Sequence, residues 1–113
     1  MVCLDDVRDL VLDFPEVAEM PHHEISSFRF RNKIFATIPD DQHFHIMLTT
    51  EYIDMAMNIM PEACEKLSWG KRLVGVRVSL IHANMDDLEE ILRVAYECKS
   101  RPRRTKGTRG RNK

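Results

Sequence analysis

Lysine and arginine side chains carry the clearest chemistry in this 113-residue sequence. Guanidinium and ammonium groups bind phosphate oxygens, and arginine can do so with two parallel hydrogen bonds. One cluster surrounds a predicted hairpin and a second flanks a later predicted strand; together they comprise Arg29, Arg31, Lys33, Lys71, Arg72 and Arg77. We expect these six side chains to contact the phosphate backbone of a nucleic acid. The alternative is that they form the solvated face of a sheet and pair with nearby Asp and Glu.

A denser group of cations lies at the C-terminus. Residues 1–99 hold 18 acidic and 10 basic residues, a net charge of −8, whereas residues 100–113 hold seven basic residues and no acid. This asymmetry is typical of contact with nucleic acid or another polyanion. The alternative is a tail that aids solubility or rests on the acidic body. The predicted phosphate-binding residues of the tail are Arg101, Arg103, Arg104, Lys106, Arg109 and Arg111.

The tail has no apolar residues with which to join a core, so we predict that it is disordered when free. A flexible chain has little means of holding hydrogen bonds to base edges, and its contacts should therefore be mostly to the phosphate backbone. We expect weak sequence selection. The tail would suit RNA as well as DNA.

Histidines and cysteines give weaker signals. His43 and His45 project from the same face of a predicted strand, and His22 or His23 could approach from the adjoining loop. A divalent metal site needs three or four ligands in fixed geometry, so scattered polar histidines are the favoured interpretation and no metal or other cofactor is predicted. The three cysteines, Cys3, Cys64 and Cys98, lack a Cys-x-x-Cys spacing. Three reduced thiols in the cytoplasm are the simplest interpretation.

No pattern in the sequence indicates an enzyme. Gly70 and Gly75 do not form a phosphate-binding loop. The paired acids at 40–41 and 86–87 fall in a turn and at a helix start, where solvation and capping explain them. Cys64 has no neighbour that would clearly lower its pKa. We therefore expect a non-catalytic protein.

Length and apolar content indicate one globular domain at residues 1–99. An apolar fraction of 43% is too high for a wholly disordered chain, and no apolar run approaches the about 20 residues that span a bilayer. Asp5 and Asp6 stand where a signal peptide would need a basic region. Residues 100–113 are assigned to the basic tail.

Apolar periodicity predicts three helices. The first runs from Leu4 to Phe14 and is ended by Pro15. The second is capped by Thr50 and runs over 51–60, and Asn84 caps the third. The apolar stripe of the third helix consists of Leu88, Ile91, Leu92 and Ala95.

Alternating segments predict four strands. Residues 25–31 and 34–38 form a hairpin around Asn32, and strands follow at 43–48 and 72–80. Segments 15–24 and 61–70 are predicted to be irregular. A two-residue loop would place Phe28, Phe30, Phe35 and Thr37 on one face of the hairpin, and Arg29, Arg31, Ile34, Ala36 and Ile38 on the other. The resulting order, α-β-β-β-α-β-α plus a tail, predicts an α+β fold: an antiparallel sheet of about four or more strands with helices on one face.

These segments carry a family resemblance. The run Phe-Arg-x-x-x-Lys-x-Phe-Ala at 28–36 is its most specific part, and Pro15-Glu16-Val17, His22, the Glu51 helix, the Val-Arg-Val-Ser-Leu strand and the Leu88–Ala95 helix follow in the same order. Residues 3–98 thereby resemble the YjbR family, also called MmcQ-like. The resemblance implies a small α+β domain of the CyaY-like type, commonly labelled DNA-binding, whose hairpins are likened to wings approaching the duplex backbone.

The resemblance implies no catalytic residue, because none is established for the family. Arg29 and Lys33 match positions of its motif, whereas the basic tail departs from the usual family ending. DNA is thus the favoured partner. The alternative function is a protein-interaction or small-molecule-binding module.

Overall fold

Three helices and six strands make up the part of the chain that the computed structural model describes, which is residues 2–22 and 24–100. They are α1 (Leu4–Leu12), β1 (Val17–His22), β2 (Ile25–Phe30), β3 (Lys33–Asp40), β4 (His43–Met47), α2 (Thr50–Ile59), β5 (Cys64–Trp69), β6 (Arg72–Ser79) and α3 (Met85–Ser100). None of these helices is long and apolar enough to cross a membrane. The predicted tail, residues 101–113, lies outside the described residues.

The strands form a single antiparallel sheet in the order β1-β2-β3-β4-β6-β5. One face of the sheet, which we call the core face, shares a hydrophobic cluster with all three helices. Its fully buried members include Phe28 and Phe44 from the sheet, stacked at 5.7 Å between ring centroids, and Ile53 and Leu88 from the helices. The predicted α+β class, with helices on one face of an antiparallel sheet, is confirmed.

The helices follow from local signals in the sequence. At α3 the Asn84 side chain accepts a hydrogen bond from the Asp87 backbone N–H at 2.9 Å and donates one to the Asp87 carboxylate at 2.8 Å. This is the predicted cap, and the predicted apolar stripe of α3 is buried. At α2 the cap residue is Thr49 rather than Thr50, and its side chain makes no capping hydrogen bond. α1 ends at Leu12, two residues before the predicted end.

Two strands were not predicted from the sequence. β1 and β5 occupy the segments 15–24 and 61–70 that were expected to be irregular, and they are the two edges of the sheet. Edge strands are exposed on more than one side, so they need no alternation of apolar residues. β1 carries Pro21, which an edge strand tolerates, and in β5 only Cys64 is buried.

A bulge changes the predicted faces of the β2–β3 hairpin. Phe28 pairs with Ala36 but Arg29 pairs with Ile34, so Phe35 is an extra residue on β3. Ala36 and Ile38 therefore lie on the same face as Phe28, not on the opposite face as predicted. Phe35 is nevertheless fully buried.

The turn of this hairpin also differs from the prediction. Arg31 and Asn32 are the two turn residues, with φ angles of 49° and 72°. Lys33, which was expected in the turn, pairs with Phe30 as the first residue of β3. Positive φ at both central residues is the geometry that a tight two-residue hairpin turn requires.

Tyr96 attaches the C-terminal part of α3 to this hairpin. Its ring stacks on Phe14 with 4.8 Å between centroids and meets Phe30 and Phe35 edge-on at 5.6 and 5.9 Å. Its hydroxyl donates a hydrogen bond to the Pro15 carbonyl at 2.9 Å. Aromatic pairs of this kind stabilise beyond their buried area. The end of α3 is thereby held beside the β2–β3 hairpin.

Gly75 provides a test of the close packing within the sheet. A Cβ at this position would collide with the Ile46 carbonyl oxygen on β4. Because that oxygen belongs to the backbone of a central strand, we expect Gly75→Ala to lower the free energy of unfolding by about 1–3 kcal/mol. Urea denaturation measures this. Gly70→Ala is the control, since that site has open space and only the strain of a φ of 65°. Equal losses in the two variants would contradict the close approach.

Candidate nucleic-acid interface

Several chain segments meet at one end of the sheet. They are the β2–β3 turn, the end of β4, the start of α2, the β5–β6 turn and the end of α3, and they enclose an open cavity of about 650 Å³. The cavity is lined by Ile34, Met47, Leu48, Thr49, Thr50, Trp69, Arg72, Leu73, Val74, Cys98 and Lys99. Lys33 precedes Ile34 and Lys71 precedes Arg72. We call this end of the molecule, with Lys33, Lys71, Arg72 and Lys99, the basic end.

The cations of the basic end are available for a ligand. Lys33, Lys71 and Arg72 are exposed, and Lys99 is partly exposed. Within residues 2–22 and 24–100, none of the four takes part in an ion pair or a side-chain hydrogen bond. Three of them, Lys33, Lys71 and Arg72, are predicted site residues. Their charges are thus free to meet phosphate oxygens.

Arg31 stands beside these residues but is paired. Its Nε and one terminal nitrogen donate to the two carboxylate oxygens of Glu16 at 2.8 and 3.0 Å. This hydrogen bond lowers the pKa of Glu16, and the guanidinium also lies 5.1 Å from the centre of the Phe30 ring. The pairing matches the alternative interpretation of a surface cation balanced by an acid. A phosphate that binds Arg31 would have to compete with Glu16 for the guanidinium.

Arg29 connects two strands. Its Nε donates to the Ser27 hydroxyl at 3.1 Å and a terminal nitrogen donates to the Pro21 carbonyl at 3.3 Å. The Ser27 hydroxyl in turn donates to the Met20 carbonyl at 2.8 Å. Arg29 is therefore attached to the edge strand β1, on the sheet face opposite the helices, which we call the outer face.

Arg77 lies on the outer face among acids. It is 3.8 Å from Asp40 and 3.8 Å from Glu65, too far for good hydrogen bonds but close enough for charge attraction. The register aligns it with His45 of β4 and Glu65 of β5. We call these cross-strand neighbours, with Thr37 of β3, the outer-face row. Three of its polar atoms are buried without a hydrogen-bond partner among the described residues: Thr37 Oγ1, His45 Nε2 and Arg77 Nε. Arg77 is thus separated from the basic end.

The surroundings of His45 in the outer-face row lower its pKa. Burial is the largest cause, because it disfavours the charged imidazolium, and the positive charge of Arg77 acts in the same direction. His43 adds to this effect, whereas the carboxylates of Asp40 and Glu65 oppose it. The folded protein therefore holds the neutral imidazole at a pH where the unfolded chain already accepts a proton.

His45 should make stability depend on pH. Since its folded pKa is lowered, its contribution is complete above the unfolded value of about 6.5 and is lost as the pH falls below it. We expect the melting temperature to drop between about pH 7.5 and about pH 5.5, and His45→Gln to reduce that drop. His82→Gln, at an exposed site, is the control. A drop that His45→Gln leaves unchanged would contradict this assignment.

Histidines and cysteines form no ligand cluster in the described part of the chain. No three His, Cys, Asp or Glu side chains come together there as metal ligands, and His23 lies outside that part. His43 instead contacts the Asp40 carboxylate at 2.9 Å, which lowers the pKa of Asp40. Cys64 is buried, and burial raises the pKa of its thiol to about 11. At neutral pH Cys64 is therefore a protonated thiol.

Trp69, Lys99 and the start of α2 were not predicted as parts of a site. Trp69 is 57% exposed and pairs across the strands with Arg72, on the other side of the turn formed by Gly70 and Lys71. An exposed tryptophan beside two basic residues was a usable signal in the sequence. Lys99 had no such signal, because only the packing of α3 brings it to the basic end.

The predicted tail residues Arg101, Arg103, Arg104, Lys106, Arg109 and Arg111 lie outside the described residues, and their contacts stay predictions. The structure does locate the point from which they continue. α3 ends at Ser100, directly after Lys99 of the cavity wall. The last described residues therefore lie at the basic end.

Comparisons with known proteins identify the fold. No family model and no curated protein matches the sequence. A solved structure does match: the crystal structure of the Deinococcus radiodurans protein DR2400, which has a DUF419 domain, with a TM-score of 0.71. The match covers 94% of this chain and 84% of that chain at 20% sequence identity. DUF419 is the YjbR, or MmcQ, family, so the resemblance seen in the sequence is confirmed at the level of the fold.

Proposed function

We propose that this chain, with its YjbR-like fold, is a non-catalytic cytoplasmic protein that binds the phosphate backbone of nucleic acid, DNA before RNA, with little sequence selection. The observation that carries the proposal is the convergence of unpaired cations at the basic end. Lys33 comes from one hairpin, Lys71 and Arg72 come from another, and Lys99 comes from α3. In the sequence, the seven charges of residues 101–113 follow directly after Lys99 and Ser100.

The net charge of −8 for residues 1–99 does not prevent such binding. Electrostatic interactions in solution decay over about 8 Å at physiological salt, so a polyanion responds mainly to the charges nearest to it. The acids of the domain that meet arginines, such as Glu16, Glu19 and Glu89, are already partly balanced by their partners. A backbone approaching the basic end meets lysines and an arginine without such partners.

The geometry favours contacts to phosphates over contacts to bases of a duplex. Two hairpin tips project exposed cations, as the wing comparison for the family implies, whereas the exposed polar row of α3, Glu90, Arg93 and Glu97, is mostly acidic and unsuited to the major groove. Lys33 and Lys71 are point charges on flexible stems. Binding should therefore vary little with base sequence and strongly with salt.

Neutralising the hairpin cations should weaken binding in a salt-dependent way. Each phosphate contact adds about 0.9 to the slope of log affinity against log salt, so Lys33→Ala, Lys71→Ala and Arg72→Ala together should reduce the slope by about 2 to 3. Fluorescence anisotropy of labelled duplex DNA at several salt concentrations measures this. The matched control is the double variant Arg31→Ala and Arg77→Ala, which removes paired cations and should change the slope by less than one contact, about 0.9.

A larger slope change in the control than in the triple variant would place the phosphate contacts on the hairpin and outer-face arginines instead. An unchanged slope in both would remove the domain from the interface. Thermal melting of each variant verifies that the fold is retained, and little change is expected because the three residues of the triple variant are exposed.

Removing residues 101–113 should change the salt dependence of binding more than the triple hairpin variant does. If about six of the seven tail charges meet phosphates, the full chain should have a slope steeper by about 5 than residues 1–100, and should lose about a thousandfold more affinity between about 50 and about 200 mM salt. The two chains are compared in the same titration. Equal slopes would show that the tail does not contact DNA.

The cavity favours one alternative, a module that binds a small molecule. Its volume of about 650 Å³ lies within the range of ligand pockets, about 300–1,000 Å³. Absence of DNA binding by both the full chain and residues 1–100 at low salt would overturn the nucleic-acid proposal and leave this alternative.

A further inference from the structure

We infer that the cavity beside Trp69 receives an unpaired nucleobase, with the adjoining phosphates on Arg72 and Lys99. This inference rests on the proposed function and makes it more specific: the preferred partner is single-stranded nucleic acid rather than intact duplex. The proposed phosphate contacts do not use Trp69 or the cavity. These two features provide a surface on which a base can bind.

Trp69 is placed as a stacking platform. It is the single tryptophan of the chain, and it is the most exposed of the four exposed large apolar side chains in the described residues. It ends the edge strand β5 and lines the mouth of the cavity. Leaving so large an apolar surface in water is unfavourable. Bases of any sequence stack on such rings, because every base has a flat π face.

The cavity behind Trp69 suits a flat, largely apolar ring with polar edges. Its apolar lining includes Ile34, Leu73 and Val74. Polar groups come from Thr49 and Thr50 at the start of α2, and the Thr49 side chain makes no capping hydrogen bond there. Hydroxyls and the first N–H groups of α2 can therefore pair with the edge of a base without favouring one base.

The charges around the cavity select an anion. Arg72 and Lys99 belong to its lining, no Asp or Glu of the described residues does, and Thr49 and Thr50, at the positive end of the α2 dipole, are also part of the lining. Lys33 and Lys71 extend this positive surface outward along the two hairpins. A basic peptide would be repelled, and a neutral apolar ligand would leave these charges unused. A single strand of nucleic acid matches both features, because its bases fit the apolar lining and its phosphates fit the cations around the cavity.

Duplex DNA cannot satisfy this site without opening, because its bases are already stacked and paired. A single strand presents its bases directly to an aromatic platform. We therefore expect single-stranded thymidylate to bind more tightly than a blunt duplex with the same number of phosphates. This difference in affinity should disappear when either the bases of the strand or the indole of Trp69 is removed.

The fluorescence of Trp69 reports on base insertion, since no other residue of the chain contributes tryptophan emission. The full chain is titrated at low salt with single-stranded oligothymidylate, with an abasic strand of the same length, and with a blunt duplex. We expect oligothymidylate to quench Trp69 and to bind about tenfold more tightly than the abasic strand. The abasic strand should bind through its phosphates and leave the emission nearly unchanged.

Trp69→Leu removes the indole and keeps an apolar side chain. With labelled strands and anisotropy detection, its affinity for oligothymidylate should fall about tenfold, to the level of the abasic strand, while its affinity for the abasic strand is unchanged. Ile81→Ala is the matched control, because Ile81 is also exposed and does not line the cavity. Melting of both variants verifies that they fold.

The outcomes separate this inference from the function it rests on. Equal affinity for thymidylate and abasic strands, without quenching, overturns base insertion and leaves phosphate binding by the basic end in place. Absence of binding by all three oligonucleotides overturns both. A loss of affinity for the abasic strand in Trp69→Leu would show that the substitution damages the basic end, and would overturn the stacking role.

Discussion

The packing of Tyr96 between the segment that follows α1 and the β2–β3 hairpin is the contact on which the functional surface depends. One ring meets Phe14, Phe30 and Phe35, and its hydroxyl reaches the Pro15 carbonyl. These contacts fix the last turns of α3 against the hairpin. The end of α3 then forms one wall of the cavity. Without this contact, Lys99 of α3 would have no defined position relative to the cations of the hairpins.

A second constraint is the division of the cations into two groups. Arg8, Arg31, Arg77 and Arg93 each approach a carboxylate and contribute to local structure, and Arg29 connects backbone and side-chain oxygens across two strands. Lys33, Lys66, Lys71, Arg72 and Lys99 have no such partner in the described residues, and all of them except Lys66 lie at the basic end. The basic end is therefore defined by where the fold brings unpaired cations together rather than by the number of cations in the domain. An acidic domain can in this way present a positive surface.

Much of the fold could be predicted from the sequence, and the errors have physical causes. Asn84 and the stripe at Leu88 and Ile91 predicted α3 because capping and apolar periodicity are local signals. β1 and β5 were missed because edge strands bury few side chains. Their sequences therefore show no alternation of apolar and polar residues, as Glu19 and Pro21 illustrate. The bulge at Phe35 reversed the predicted face of Ala36, since a single added residue exchanges the two faces of a strand. Of the site, the basic residues near the two turns were predicted, but their partners were not.

The sequence by itself determined the kinds of elements, the acidic body, the basic tail and the presence of cations at both turns, because these follow from composition and from contacts only a few residues apart. The tertiary structure alone decided which cations remain unpaired, that Trp69 borders a cavity, and that α3 ends beside it. Those properties depend on contacts between distant segments, such as Glu16 with Arg31 and Tyr96 with Pro15. Such contacts arise from the packing of the whole chain, so no local pattern of residues encodes them.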